Sequence, residues 1–491
     1  VKFQVFKNGE LADHFKVHGA YLFGTDGISI RRAKIQFKHG YLECIRPNME
    51  TAGLALLWPI DGFGRILLPT TCLPERERPY NLNVEIARAK LMQITNRRED
   101  WSFFDKIEGM ESISKESQDL FVRAIQTIHD APKASQLASE SLTKAMVYSE
   151  KLAVRQGTAL FEKRRKGHGF GRGCMGCHIH PALLGRSQYL ERLLELFASV
   201  TIPINWARIE TRKGHFDFSA VDQCVTTLAR KKVVIGAGPL LRFTRDHLPD
   251  WLLQSGVGFE RMRELAYQFV SKVVARYASV VHRWYVISGL NVFNQFNFNF
   301  EQILEMTRAA SMAVRAAGSR AVRIVEISHP WGEYYASTPN SIPPFVYMDM
   351  VVQSGTNFDA FALQMRFGKD ETGLHLRDMM QISSILDCFA VVAKPLHITH
   401  VAVPSANGKG LFDGAVAGVW HRKWDETRQS QWLNRFHKIA LSKPFVESVN
   451  YDALADSETN VIAHSGLLSE QMKPRESFKT LKRLYMSMFK R

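Results

Sequence analysis

The sequence predicts an α/β protein: a (β/α)8 TIM barrel preceded by a β-sandwich-like domain and a helical connector. From about residue 170 onward, short apolar strands alternate with amphipathic helices through eight β–α units. Before that point, short strands separated by turn signals give way to apolar residues at helical spacing. No Gly-x-Gly-x-x-Gly follows any strand, which disfavours a dinucleotide-binding sheet. At 491 residues the chain exceeds the usual size of one domain. Three regions are expected: a β-sandwich-like domain over 1–105, a helical connector over 106–168 and the barrel over 169–491.

In the first region, Thr25-Asp26-Gly27 marks a turn, ISIRRAKIQF runs to His39-Gly40, and YLECI returns with alternating character. LALLWP at 54–59 is followed by Asp61-Gly62 and the strand-like RILLPT. In the second region Leu120, Phe121, Ile125, Ile128, Leu137, Leu142, Met146 and Leu152 recur at roughly helical spacing. Pro132 interrupts them, so two helices are expected. The barrel strands are expected at 174–179, 200–204, 233–238, 284–288, 322–328, 361–365, 397–403 and 446–451. Helices are expected at 187–198, 219–231, 258–277, 300–317, 375–391, 426–441 and 475–489.

Composition is that of a globular protein, with 45% hydrophobic and 23% charged residues. No apolar run reaches the eighteen or so residues that span a bilayer, so no membrane partner is expected. The N-terminal VKFQVFKNGELADHF lacks the apolar core of a secretory signal. The six cysteines are sparse and irregular, which suits a reducing compartment. Cytoplasmic location is the resulting expectation. The formal net charge of +16 would attract polyanions if it were focused. Its one dense cluster, Lys163-Arg164-Arg165-Lys166, lacks interleaved aromatics, so scattered solvated charge is favoured over a nucleic-acid partner.

Trp206-Ala207-Arg208-Ile209-Glu210 leading to Gly214-His215-Phe216-Asp217-Phe218 is similar to the K-W-x-x-I-E-x-x-x-G-x-F-x-F segment of family-10 glycoside hydrolases, the endo-β-1,4-xylanase family. Leu248-Pro249-Asp250-Trp251 resembles its L-P-x-W, Gln364 sits at its strand-six glutamine, and Leu386-Asp387-Cys388-Phe389-Ala390 resembles its L-D-x-F-A. The resemblance implies a barrel over roughly 170–491 and an ancestral retaining hydrolysis of β-1,4-linked glycans, free of metal and cofactor. By architecture alone, the N-terminal region resembles the carbohydrate-binding modules appended to such enzymes.

The departures from the family fall in its sugar site. Trp284-Tyr285-Val286-Ile287-Ser288-Gly289 places Gly289 where the resemblance implies the acid/base glutamate. Ile398-Thr399-His400-Val401-Ala402 places His400 at the nucleophile. A retaining glycosidase needs two carboxyl groups about 5 Å apart, and neither residue supplies one. The family's Asn-Glu reads Ile202-Pro203 and its lysine reads Asn205. Its Gly-His-Thr reads Gly238-Pro239-Leu240, its next tryptophan and histidine read Phe243 and Thr244, and its strand-six histidine reads Arg366. The expectation is a degenerate glycosidase that binds a glycan or oligosaccharide. The alternatives are an active glycosidase with relocated carboxylates and a non-catalytic interaction protein with a basic surface.

Glu333, in the segment from His329 to Tyr335, is the best remaining candidate for catalysis, because it follows strand five at the active-site rim among aromatics. An apolar pocket would raise its pKa; the competing reading is a loop carboxylate paired with an arginine. Trp206, Phe243, Ser288, Asn291, Trp331, Tyr334, Gln364, Arg366 and His400 are the candidate substrate contacts, with Trp420 and Trp424 as further aromatic platforms. Glu210 is expected to cap a loop, and Glu326, inside a strand, to be paired or buried. Ser288 with His400 superficially suggests a nucleophile and base, but no G-x-S-x-G elbow is present. Cys174-Met175-Gly176-Cys177-His178 matches a c-type haem pattern, and with His180 a zinc set. Strand alternation separates neighbouring side chains, so buried thiols are favoured and no cofactor or metal is expected.

Overall fold

A computed structural model describes residues 1–101, 110–407 and 417–489. The expected boundary at 105/106 falls outside the described residues.

Eight parallel strands close into a barrel: β10 (Met175–His178), β11 (Ser199–Ile202), β12 (Val234–Ala237), β13 (Arg283–Ser288), β14 (Val322–Ile327), β15 (Ala360–Arg366), β16 (Leu396–Ala402) and β18 (Val446–Tyr451). Each strand is followed by a helix, at 187–196, 219–229, 259–277, 300–316, 344–353, 379–389, 426–442 and 476–489. The strands are buried almost throughout, which is why they read as continuous apolar runs. Among the barrel helices, Pro344–Gln353 is the one that periodicity missed. Its buried residues Pro344, Tyr347, Met348 and Val351 have helical spacing, but the neighbouring Phe345, Val346 and Val352 are also apolar and hide it.

The N-terminal region forms two four-stranded sheets and a two-stranded ribbon of β2 (Phe6–Lys7) and β3 (Glu10–Leu11). The first runs β5 (Lys34–Lys38), β6 (Tyr41–Ile45), β1 (Lys2–Gln4), β9 (Tyr80–Asn81). The second runs β17 (Val419–Trp420), β8 (Gly64–Pro69), β7 (Gly53–Ile60), β4 (Tyr21–Phe23). Phe15 bridges them, with ring centroids 6.0 Å from Phe37 and 5.7 Å from Trp58. Strand β7 is apolar on both faces. Leu54, Leu56 and Trp58 join the main core, and Ala55 and Leu57 pack with Leu67, Tyr21 and Phe23. Strand β17 comes from the loop after β16, so the second sheet is completed by the barrel.

The expected run of strands ends at Asn81: α1 (Leu82–Asp100) is a 19-residue helix, capped by the Asn81 side chain. Its amphipathic signal is erased because polar Asn83, Glu85 and Lys90 lie on the buried face beside Val84, Ile86 and Ile94. Two helices follow, α2 (Glu111–Gln126) and the 36-residue α3 (Ala131–Lys166). Pro132 does not break α3, since it occupies the first turn, where no backbone donor is needed. Helix α3 lies along the barrel helix 426–442. There its buried Glu150 accepts hydrogen bonds from Trp420 Nε1 at 3.1 Å and from Arg435, and lies 3.1 Å from His421 Nε2. At its end, Arg164 donates to the carbonyls of Leu441, Lys443 and Val446. The basic cluster therefore has a packing role at this residue. Helix α1 is tied to the barrel by Lys90, whose Nζ lies 3.0 Å from Asp378 with both side chains at most 2% exposed.

No helix among the described residues is long and apolar enough to cross a membrane.

Candidate functional site

The C-terminal ends of the barrel strands converge on Glu326, near the end of β14. The carboxylate is 2% exposed and accepts hydrogen bonds from Ser288 Oγ at 2.5 Å, Thr399 Oγ1 at 2.5 Å and Gln364 Nε2 at 2.7 Å. Strands β13, β15 and β16 each supply one donor, so the carboxylate stitches neighbouring strand ends together. Burial pushes its pKa up. The imidazolium form of His400 and the hydrogen bonds outweigh that, leaving it below its ordinary value.

Beside it lies a second carboxylate, Asp452, one residue past the end of β18. Arg366 grips it with Nε at 2.9 Å and Nη2 at 2.7 Å, and His400 Nδ1 lies 2.6 Å away. Burial favours the neutral acid, but the Arg366 charge and the His400 contact hold it well below the usual carboxylate range. His400 itself is depressed by burial first and by Arg366 second, against the upward pull of Asp452. Its Nδ1–H donates to the Asp452 carboxylate, and its Nε2 lies 3.8 Å from Glu326 Oε1. His178, at the end of β10, stacks on this ring at 3.8 Å and 19°.

Consecutive residues of a strand should face opposite ways, yet Thr399 and His400 both reach the barrel interior. The pairing jumps from Ile398↔Val449 to Val401↔Tyr451, a bulge in which His400 adopts φ +53°. The bulge re-aims His400 inward.

The other wall comes from strands three to five. The Arg242 guanidinium lies 4.5 Å above the Phe293 ring, which meets His329 edge-on at 5.7 Å. Phe293 occupies the space beside Gly289. That residue has φ +64°, and a Cβ there would stand 2.6 Å from both Phe293 Cδ2 and Ser328 Oγ. A side chain at position 289 would therefore need Phe293 and Ser328 to move.

The predicted residues divide into two groups. Ser288, Gln364, Arg366 and His400 meet at the mouth. Trp206, Phe243, Asn291 and Tyr334 do not present themselves to a ligand. Trp206 stacks on Phe269 at 4.7 Å and donates to Glu210, which also accepts from the Gly214 N–H as a loop cap. Phe243 is buried against Phe296 and Phe298. Asn291 donates to Ser328 O and Tyr334 Oη, and Tyr334 donates to Ile342 O, bracing the loops after strands four and five. Burial of an aromatic in loop packing leaves no face for a sugar. Trp331 is half-buried between Arg377 and Phe367. Trp420 is buried on Glu150, and Trp424 donates to Gly418 O.

Glu333 lies away from this network. Its Oε1 accepts from Arg377 Nη2 at 3.0 Å, with both side chains 3% exposed. It lines a cavity of about 290 Å³ shared with Tyr21, Ala33 and Ile35 of the N-terminal sheets. Cys174 packs its thiol on Met488 Sδ at 3.7 Å, and Cys177 Sγ contacts His178 O. Burial raises both thiols, Cys174 to about 12. Among the described residues no group of three or more His, Cys, Asp or Glu side chains is arranged to hold a metal.

Sequence reasoning missed Asp452, Arg242 and the stacking role of His178. The signal for Asp452 was its place directly after an expected strand, where barrel sites collect.

No family model matches this sequence, and no curated protein does. Among solved structures, native xylanase 10B from Thermotoga maritima matches at 15% identity and TM-score 0.50, covering 67% of this chain and 98% of that one. Xylanase 10B from Thermotoga petrophila RKU-1, in complex with xylobiose, matches at 15% identity and TM-score 0.51, covering 68% and 98%. A GH10 endoxylanase retrieved from a sugarcane soil metagenome matches at 15% identity and TM-score 0.52, covering 67% and 99%. Nearly the whole of each xylanase is matched by about two thirds of this chain. The chain therefore carries a divergent (β/α)8 barrel with the fold of the family-10 glycoside hydrolases.

Proposed function

We propose that the barrel mouth binds a β-linked glycan and does not hydrolyse it by double displacement. The observation that carries this reading is the state of the two mouth carboxylates. A glycosidase acid must hold a proton at working pH, which requires a raised pKa. Glu326 and Asp452 are both displaced downward, and each spends its oxygens on protein donors. Phe293 fills the space beside Gly289, and residue 400, which the resemblance aligns with the nucleophile, is a histidine.

Hydroxyl recognition remains available. His400 is oriented by Asp452, and Arg366, bound to the same carboxylate, is partly exposed beside it. Such fixed, convergent polar groups suit a polyol, and the xylobiose bound by the Thermotoga petrophila enzyme makes β-1,4-linked pentose or hexose oligomers the first ligands to try.

Glu333 as a relocated acid is less well supported, because Arg377 already neutralises it outside the mouth. The test is calorimetric titration with xylotetraose and cellotetraose beside a hydrolysis assay on soluble xylan. Binding that His400→Ala abolishes, without reducing-sugar release, is expected. Hydrolysis, or failure of both oligosaccharides to bind, would overturn the reading.

A further inference from the structure

Arg242 makes no direct ion pair with the other charges of the mouth among the described residues, although the Glu326, Asp246 and Asp452 carboxylates lie near enough to act on it. Arg366 is matched by Asp452, and Glu326 is surrounded by donors. Asp246, the nearest carboxylate in sequence, is 75% exposed and lies 3.1 Å from His247. Arg242 has no hydrogen bond or ion pair among the described residues; its contact is the Phe293 ring. Its Nε is buried without a partner. The Phe293 face fixes the guanidinium plane, and the position just past β12 puts it on the rim where barrel ligands sit. A guanidinium removed from much of its water and left unpaired is costly to hold. A planar bidentate anion is the ligand that relieves that cost.

We infer that Arg242 receives the carboxylate of an acidic sugar, so that the preferred ligand is a uronate-bearing β-linked glycan. This rests on the reading that the mouth binds glycan. It adds the charge of the ligand and the residue that selects it. The wall supports the assignment, since His329 lies on the other side of Phe293 and the remaining mouth carboxylates are already engaged. An incoming anion meets Glu326 and Asp452 already held by protein donors, and Asp246 open to solvent.

The test uses the full chain and two ligands that differ only at C6: cellotetraose and the tetramer of β-1,4-linked glucuronic acid. Titration calorimetry at low and high salt should show the acidic tetramer binding at least about tenfold tighter, with the advantage shrinking as salt rises. Arg242→Gln should erase the difference between the two ligands, and Arg242→Lys should restore part of it. If cellotetraose binds as well as the acidic tetramer, the Arg242 assignment fails and the glycan site survives. If neither binds, both fail. A preference for the acidic tetramer that persists in Arg242→Gln also overturns the assignment. Should that variant not fold, the wild-type preference and its salt dependence still decide.

Discussion

His400 turns Nδ1 to Asp452 at 2.6 Å and Nε2 toward Glu326 at 3.8 Å, so one imidazole separates the two carboxylates of the barrel mouth. The arrangement depends on a left-handed residue in a strand bulge and on Arg366 holding Asp452 from the far side. It places Arg366 and His400 against Asp452, with Glu326 held by three uncharged donors beside them.

Glu326→Gln should lower stability, because Ser288, Thr399 and Gln364 would lose a charged acceptor. Each hydrogen bond to a charged group contributes about 1.5–3 kcal/mol. Ser288→Ala and Thr399→Val should each cost less than Glu326→Gln, and combining them should be non-additive, since they share one acceptor. Urea titrations of the single and double variants measure this.

Gly289→Glu will not rebuild a glycosidase. A side chain at φ +64° is strained by about 1–3 kcal/mol, and its Cβ would collide with Phe293 and Ser328. The variant, alone or with His400→Glu, should unfold at lower temperature and stay inactive on xylan. A gain of xylanase activity in the double variant would show that the mouth still has room for the chemistry.

Lys90→Met should destabilise the whole chain by about 3–5 kcal/mol, because it leaves Asp378 buried without its cation. Since this pair joins helix α1 to the barrel, thermal unfolding should remain a single transition that moves down. Separation into two transitions would mean that the N-terminal region and the barrel unfold independently.

Acid should weaken the fold beginning near neutral pH. Burial depresses His397 to about 3 and His437 to about 4. In the unfolded chain an imidazole protonates near 6.5. Below that pH the unfolded state binds protons that the folded state refuses, so stability present above about 6.5 falls as pH drops, until each folded histidine itself protonates. Each contributes a slope of up to about 1.4 kcal/mol per pH unit. His437→Asn keeps a donor for Leu433 O and removes the titrating ring. Its urea midpoint should be lower at pH 7 and decline less between pH 6.5 and 4.5 than that of the wild type.

The barrel was legible in the sequence because its strands are buried on both faces and its helices carry one apolar stripe each, so the two periods alternate cleanly. Helix α1 was not, because Asn83, Glu85 and Lys90 find partners on its buried face and so look solvent-exposed in sequence. At the site, strand-end positions drew attention to Ser288, Gln364, Arg366 and His400. Glu326 was visible only as a carboxylate inside a strand. Its hydrogen-bond partners come from three other strands, a relationship that exists only once the barrel closes. The bulge at His400 was equally hidden, since the alternation rule places Thr399 and His400 on opposite faces.

The most direct test of the central claim is release of 4-nitrophenol from 4-nitrophenyl β-xylobioside between pH 5 and 8, with Glu326→Gln in parallel. With both mouth carboxylates ionised and hydrogen-bonded and position 289 closed by Phe293, no release above the uncatalysed rate is predicted for either protein. Release by the wild type that disappears in Glu326→Gln would contradict the account and make Glu326 a catalytic residue.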